Sequence, residues 1–197
     1  SGPVQISPTY EQIGYVAKID TATLAVVATC NVGFQPDEIE IVGNRIYVAN
    51  SGGYMTPNYE STVSIIDIDS FTEIGRIEVA KNLHRLCADS HGQLWVSSRG
   101  DYYDTPSRLY CIDIATSEVV DSVMTAVSDL CLSGDTLFVI GTEFSYETYE
   151  TAVSYGIVDV VKHELVTDKF ITDGTDEKIK IPYGLAVNPS SHEIFVT

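Results

Sequence analysis

Apolar and polar residues alternate along this chain in short segments, each bounded by Gly, Asn, Asp or Ser, and no stretch of ten or more residues keeps a helical period. A period of two predicts strands with one face turned inward. Four kinds of segment, here a to d, recur in order. Segment a covers residues 38–42, 86–89, 129–132 and 184–188, and segment b covers 46–50, 94–98, 137–140 and 194–197. Segment c covers 15–20, 63–67, 109–113 and 155–159, and segment d covers 24–32, 73–79, 118–124 and 164–171. Between a and b stand Gly43-Asn44, His91-Gly92, Gly134-Asp135 and Ser190-Ser191, the small polar or Gly-containing pairs that a tight hairpin requires.

The recurrence is regular. Asp67 ends segment c and has counterparts at Asp20, Asp113 and Asp159, at intervals of 47, 46 and 46 residues. Asp20-x-x-Thr23, Asp67-x-x-Ser70 and Asp113-x-x-Thr116 suit a c to d turn in which the carboxylate accepts bonds from nearby amides, a scaffold role rather than a catalytic one. In every segment b an aromatic follows an aliphatic residue: Tyr47, Trp95, Phe138 and Phe195. A ring fixed in a fixed strand predicts packing between neighbouring sheets, so these four are expected in the core.

Four strands in about 46 residues is the size of a propeller blade. Tyr47-Val48-Ala49-Asn50, followed by Val63-Ser64-Ile65-Ile66-Asp67, resembles the YVTN-type β-propeller repeat of surface-layer-like and secreted proteins. The resemblance extends over residues 14–197 and implies an all-β propeller of four-stranded antiparallel blades, with about four blade equivalents present. The expected division is an N-terminal extension at 1–13, strands c and d at 14–35, blades at 36–80, 81–126 and 127–171, and a loop with strands a and b at 172–197. Relatives of this kind usually have seven blades, which makes the chain an expected piece of a longer propeller. The alternative is a four-bladed ring closed by pairing the last b strand with the first c strand.

Charge narrows the partners. With 28 acidic against 11 basic residues and a formal charge of −17, the chain would be repelled by nucleic acid, and it has no basic cluster to neutralise phosphates. No run approaches the eighteen apolar residues of a membrane span, and the first ten residues lack the charged and apolar regions of a signal peptide. Cys30, Cys87, Cys111 and Cys131 each sit in an apolar segment, without zinc-ligand spacing, and read as buried free thiols. No nucleophile elbow, phosphate-binding loop, dinucleotide fingerprint or His-Glu-x-x-His occurs, so no cofactor and no catalytic residue is expected.

Candidate chemistry gathers in the b to c loops, residues 51–62, 99–107 and 142–154. They hold Tyr54, Tyr59, Tyr102, Tyr103, Tyr146 and Tyr149, half of the twelve tyrosines, together with Met55 and Phe144. Tyr on a loop offers an apolar face, a hydroxyl and little rotamer entropy, which suits recognition. Acidic neighbours such as Glu60, Asp101 and Glu147 make the patch negative. The starts of the a segments carry Asp37-Glu38, His84-Arg85, Ser128-Asp129 and Tyr183-Gly184, expected to converge as a polar ring, with Glu38, His84, Arg85, Asp129 and Tyr183 as ligand-binding candidates. Asp173, Asp176 and Glu177 form an oxygen-rich loop without EF-hand spacing.

From the resemblance, the expected function is a non-enzymatic, extracellular or envelope-attached propeller that captures a small molecule, a glycan or a surface protein on this aromatic, acidic face. Similar surface lipoproteins of gut anaerobes capture cobalamin and pass it to an outer-membrane transporter, which makes both expected partners here. Two alternatives stand beside it. One is an enzyme of lactonase-like or quinone-dependent dehydrogenase-like kind, working at the channel mouth. The other is a structural surface-layer or adhesion module.

Overall fold

The structure, a computed structural model, describes residues 12–144, 149–171, 179 and 181–197. All of its regular elements are strands. They are β1 (Ile13–Ile19), β2 (Val26–Phe34), β3 (Pro36–Val42), β4 (Arg45–Asn50), β5 (Thr62–Asp67), β6 (Thr72–Glu78), β7 (Leu83–Ala88) and β8 (Gln93–Ser98). There follow β9 (Arg108–Asp113), β10 (Glu118–Val123), β11 (Asp129–Ser133), β12 (Thr136–Phe144), β13 (Thr151–Asp159), β14 (Glu164–Thr167), β15 (Leu185–Val187) and β16 (Ile194–Val196). Consecutive strands pair, giving three four-stranded sheets, β3–β6, β7–β10 and β11–β14, and two two-stranded sheets, β1–β2 and β15–β16. The chain divides into two compact units, with the boundary inside β7 between His84 and Arg85.

In the first unit one face of the β3–β6 sheet packs on β1–β2. Ile46, Val48, Ile66 and Phe71 join Val16, Cys30 and Val32 in one apolar cluster. Ile66 and Val48 are fully buried, and burial of one such side chain stabilises by about 1.5–3 kcal/mol. Asn50 ties the two sheets with polar bonds: its Oδ1 accepts from Gly33 N at 3.1 Å, and its Nδ2 donates to Thr62 Oγ1 at 3.1 Å and Ser64 Oγ at 2.9 Å. A Cβ on Gly33 would lie 2.6 Å from the Asn50 side chain, so only glycine allows this approach.

In the second unit the core is Trp95, Leu109, Cys111, Val123, Val127, Leu137, Val139, Val158 and Val160. The buried Trp95 ring keeps its Nε1–H satisfied by donating to Asp89 Oδ2 at 2.9 Å. All four cysteines are free; Cys30 and Cys111 are buried, Cys87 and Cys131 half-buried.

The c to d turns repeat at atomic detail. Asp20, Asp67 and Asp113 each accept the amide of the residue three positions on, at 2.7–2.8 Å, and Asp159 does so at 3.0 Å. The residue four positions after each Asp has positive φ: Leu24 at 57°, Phe71 at 50°, Ser117 at 60° and His163 at 57°. Backbone bonds from Leu24, Phe71 and Ser117 N back to the carbonyl of the Asp close three of these turns at 2.8–2.9 Å.

These observations correct the expected β-propeller. The sheets follow one another as open antiparallel sheets, and among the described residues none closes into a ring: no strand pairs β16 with β1, and the composite blade is not formed. Of the four aromatics expected in the core, two are not buried: Phe138 is half-buried, edge to face with Phe170 at 5.3 Å, and Phe195 lies in solvent. Tyr47 and Trp95 are fully buried, yet Phe195 is 58% exposed. Among the described residues its sheet has two strands, β15 and β16.

Candidate functional site

Polar residues become buried where the first turn of a strand is fixed by the backbone around it. Before β7, Asn82 adopts φ +58° and its N–H bonds to Glu60 O at 2.8 Å, which directs the following residues inward. Leu83 is fully buried and His84 is 6% exposed. His84 Nδ1 lies 2.8 Å from Asp37 Oδ2, at the start of β3. A carboxylate is an acceptor only, so in this contact Nδ1 carries the proton. The carboxylate fixes the orientation of the ring.

The loop between β4 and β5 is stitched down in the same unit. Ser51 Oγ donates to Gln35 O at 2.8 Å, and Tyr54 N donates to Gln35 Oε1 at 2.6 Å. Tyr54 itself is exposed, and Tyr59 is half-buried with its hydroxyl donating to Thr56 Oγ1 at 3.1 Å. Glu38 is half-buried on β3, one residue from the dyad. A shallow cavity of about 210 Å³ lies beside β2 and β6, lined by Asn31, Phe34, Glu73 and Arg76 among others. Arg76 is held bidentately by Glu73, at 2.7 and 3.1 Å, which leaves the cavity without a net cation.

In the second unit Arg85 Nε sits 3.2 Å from Asp129 Oδ1 and donates to Ser128 O at 3.2 Å. Asp129 Oδ2 accepts the Leu185 amide at 2.7 Å. These two predicted site residues are thus engaged in tying β7 to β11 and β15. Tyr183, two residues ahead of β15, is 83% exposed. Tyr102 and Tyr103 are exposed on the β8 to β9 loop, where Asp101 Oδ1 accepts three consecutive amides from Tyr103 to Thr105. Phe144 and Tyr149, both exposed, meet edge to face at 6.4 Å. Tyr146, Asp173, Asp176 and Glu177 lie outside the described residues.

Two further histidines pair with carboxylates: His91 Nε2 with Asp135 Oδ1 at 2.8 Å, and His163 Nδ1 with Asp121 Oδ2 at 3.1 Å. The Asp135 contact raises the His91 pKa. His163 also approaches the Cys111 sulfur at 3.9 Å. That pair is no thiolate nucleophile, because burial, with Asp89, Asp121 and Asp113 nearby, pushes the Cys111 thiol up to about 12. Among the described residues no group of three or more His, Cys, Asp or Glu side chains is arranged to hold a metal ion, and no helix is long and apolar enough to cross a membrane.

Asp37, the partner of His84, is the residue that sequence reasoning passed over in favour of Glu38. The signal was present in the repeat itself: Asp37 and His84 are 47 residues apart, one repeat interval, so equivalent positions in successive repeats carry complementary groups.

No protein-family description matches this sequence, and no curated protein does. Solved structures do share its fold. A chain of Kuenenia stuttgartiensis hydrazine synthase is similar over 93% of this chain with a TM-score of 0.69 and 22% identity, and a chain of a mitotic checkpoint complex over 93% with a TM-score of 0.68 and 14% identity. The dihydro-heme d1 dehydrogenase NirN, in complex with DHE, is similar over 76% of this chain with a TM-score of 0.54 and 13% identity. This chain spans 49%, 52% and 31% of the lengths of those chains. None of these three is titled a YVTN-type or surface-layer protein; two are titled as enzymes and one as a multi-protein complex. With the open sheets, this overturns the expected YVTN-type propeller and, with it, the non-enzymatic surface-binding role.

Proposed function

We propose that this chain contributes to an enzyme acting on a small molecule, with His84 as general acid–base, Asp37 as the residue that orients it, and hydrolysis of a lactone or ester as the reaction class. The observation that carries this reading is the 2.8 Å contact between Asp37 and a histidine only 6% exposed at a strand start. Two of the structurally similar chains carry enzyme names, which favours the enzyme part of this reading alone and not its reaction class.

In the proposed step, Nε2 removes a proton from water as the water oxygen bonds to the acyl carbon. The same proton passes from Nε2 to the alkoxide oxygen as the C–O bond breaks, which regenerates neutral His84. Asp37 stays ionised and stabilises the transient imidazolium.

The test is hydrolysis of a panel of chromogenic lactones and esters by the wild type, His84→Gln and Asp37→Asn. Turnover by the wild type is expected, with a loss of about 10²–10⁴-fold in kcat for His84→Gln and a smaller loss with a displaced pH profile for Asp37→Asn. A folded wild type that turns over nothing in the panel, or a His84→Gln variant as active as the wild type, overturns the reading.

A further inference from the structure

His163 stands in the turn between β13 and β14, at φ +57°, and its ring contacts the β7–β10 sheet of the same compact unit. Nδ1 lies 3.1 Å from Asp121 Oδ2 on β10, and Nε2 lies 2.8 Å from the side-chain amide of Gln93 on β8. The Trp95 ring, also on β8, meets the imidazole edge to face, with centroids 5.3 Å apart. The imidazole is thus held by side chains of one sheet while its backbone belongs to the next.

Which end of the Gln93 amide faces the ring follows from its other neighbours. Asp89 Oδ2 and the Val160 carbonyl both accept, so the amide nitrogen donates to them at 2.9 and 3.1 Å, and the amide oxygen meets His163 Nε2 at 2.8 Å. The nitrogen is 3.3 Å from Nε2, the longer of the two contacts. The reverse orientation sets the oxygen against two acceptors. Asp89 is already full as an acceptor: Oδ2 takes the Trp95 Nε1–H at 2.9 Å, and Oδ1 takes the amides of His91 and Gln93 at 2.8 and 3.0 Å. An amide oxygen and a carboxylate only accept, so Nε2 and Nδ1 of His163 each carry a hydrogen. The network is complete with an imidazolium. A neutral ring has one N–H, and leaves either Gln93 Oε1 or Asp121 Oδ2 facing a lone pair.

We propose that His163 is a proton-operated latch between the β7–β10 and β11–β14 sheets, closed while both ring nitrogens carry hydrogen and loosened when Nε2 gives up its proton to solvent. The groups around the ring are Asp121 on β10, Cys111 on β9 with its sulfur 3.9 Å from Nε2, and Asp89 behind Gln93 and Trp95. Asp113, at the end of β9, acts on the same Cys111 thiol, which burial pushes up to about 12, so the thiol stays neutral while the imidazole titrates. Lys162, on the turn of His163 itself, is paired with Asp159 at 3.0 Å. His91 and Asp135 join the same two sheets through exposed turns, at 2.8 Å. A bond that only the charged ring can make adds stability that is present while the ring is charged and is lost as rising pH removes the proton.

Urea unfolding of the wild type and Gln93→Met at about pH 5.5 and about pH 8 brackets the range in which imidazoles titrate. Methionine keeps the length of the side chain and removes the acceptor. The variant's loss in the folding equilibrium constant should therefore be greater at the lower pH, by a further factor of about ten. Trp95 is the only tryptophan and gives a second readout that does not depend on the variant's stability. An imidazolium accepts an electron from excited indole more readily than a neutral ring does, so wild-type emission should rise in a step as pH rises. The step should vanish in His163→Asn, whose side chain suits the left-handed backbone, and persist in His91→Asn. A gap between wild type and Gln93→Met that is constant or wider at the higher pH, wild-type emission without a step, or a step that survives in His163→Asn overturns the proposal.

Discussion

Asp67 shows how one side chain shapes a turn and what it does to stability as pH changes. Its Oδ1 accepts the Ser70 amide and hydroxyl, both at 2.8 Å, and its Oδ2 accepts from Asn44 at 3.1 Å. These bonds, the Ser70 amide first, hold its carboxyl below the ordinary value of 3.8. A carboxyl whose pKa is lower folded than unfolded adds stability that is fully present above the unfolded pKa and disappears as pH falls through the folded one. Asp67→Asn is therefore expected to lower the Tm at neutral pH, with the gap to the wild type narrowing once the pH drops below about 4. Thermal melts of the two proteins across that range check it; a gap constant with pH contradicts the assignment. The role of these Asp residues was legible from the sequence, because a carboxylate three positions before a hydroxyl acts locally. The contact of Asp37 with His84 was legible only by comparing equivalent positions one repeat apart, because nothing local to either residue marks it.

At the scale of the element, the strands were legible and their ends were not. The b and c strands carry near-continuous apolar runs, and β4 is buried at five consecutive positions, Ile46 to Asn50, because both of its faces are covered. The positive φ that recurs four residues after each turn Asp left no mark in composition: the positions hold Leu24, Phe71, Ser117 and His163 rather than glycine. At Leu24 the conformation brings little packing in return, since the side chain is 79% exposed. A left-handed backbone costs an L-residue roughly 1–2 kcal/mol, and glycine offsets part of that relief through its freer unfolded chain. Leu24→Gly is expected to raise unfolding stability by up to about 1 kcal/mol, read as a higher urea midpoint with an unchanged slope. A lower midpoint would mean that the Leu24 side chain contributes more than its exposure suggests.

For the molecule as a whole, the repeat fixed the number and order of strands but not whether the ends meet. Pairing between distant strands depends on the curvature accumulated over every sheet, which no local pattern encodes. Phe195, 58% exposed, stands in a sheet that has two strands among the described residues. The same feature bears on how the molecule breathes. In the complete sheets the second and third strands have neighbours on both sides, so their amides reach solvent only when a whole sheet opens. Among the described residues the strands of the short sheets have one neighbour each, and a single frayed hairpin releases them. Hydrogen–deuterium exchange should therefore label β1 and β16 first and β8 and β9 last.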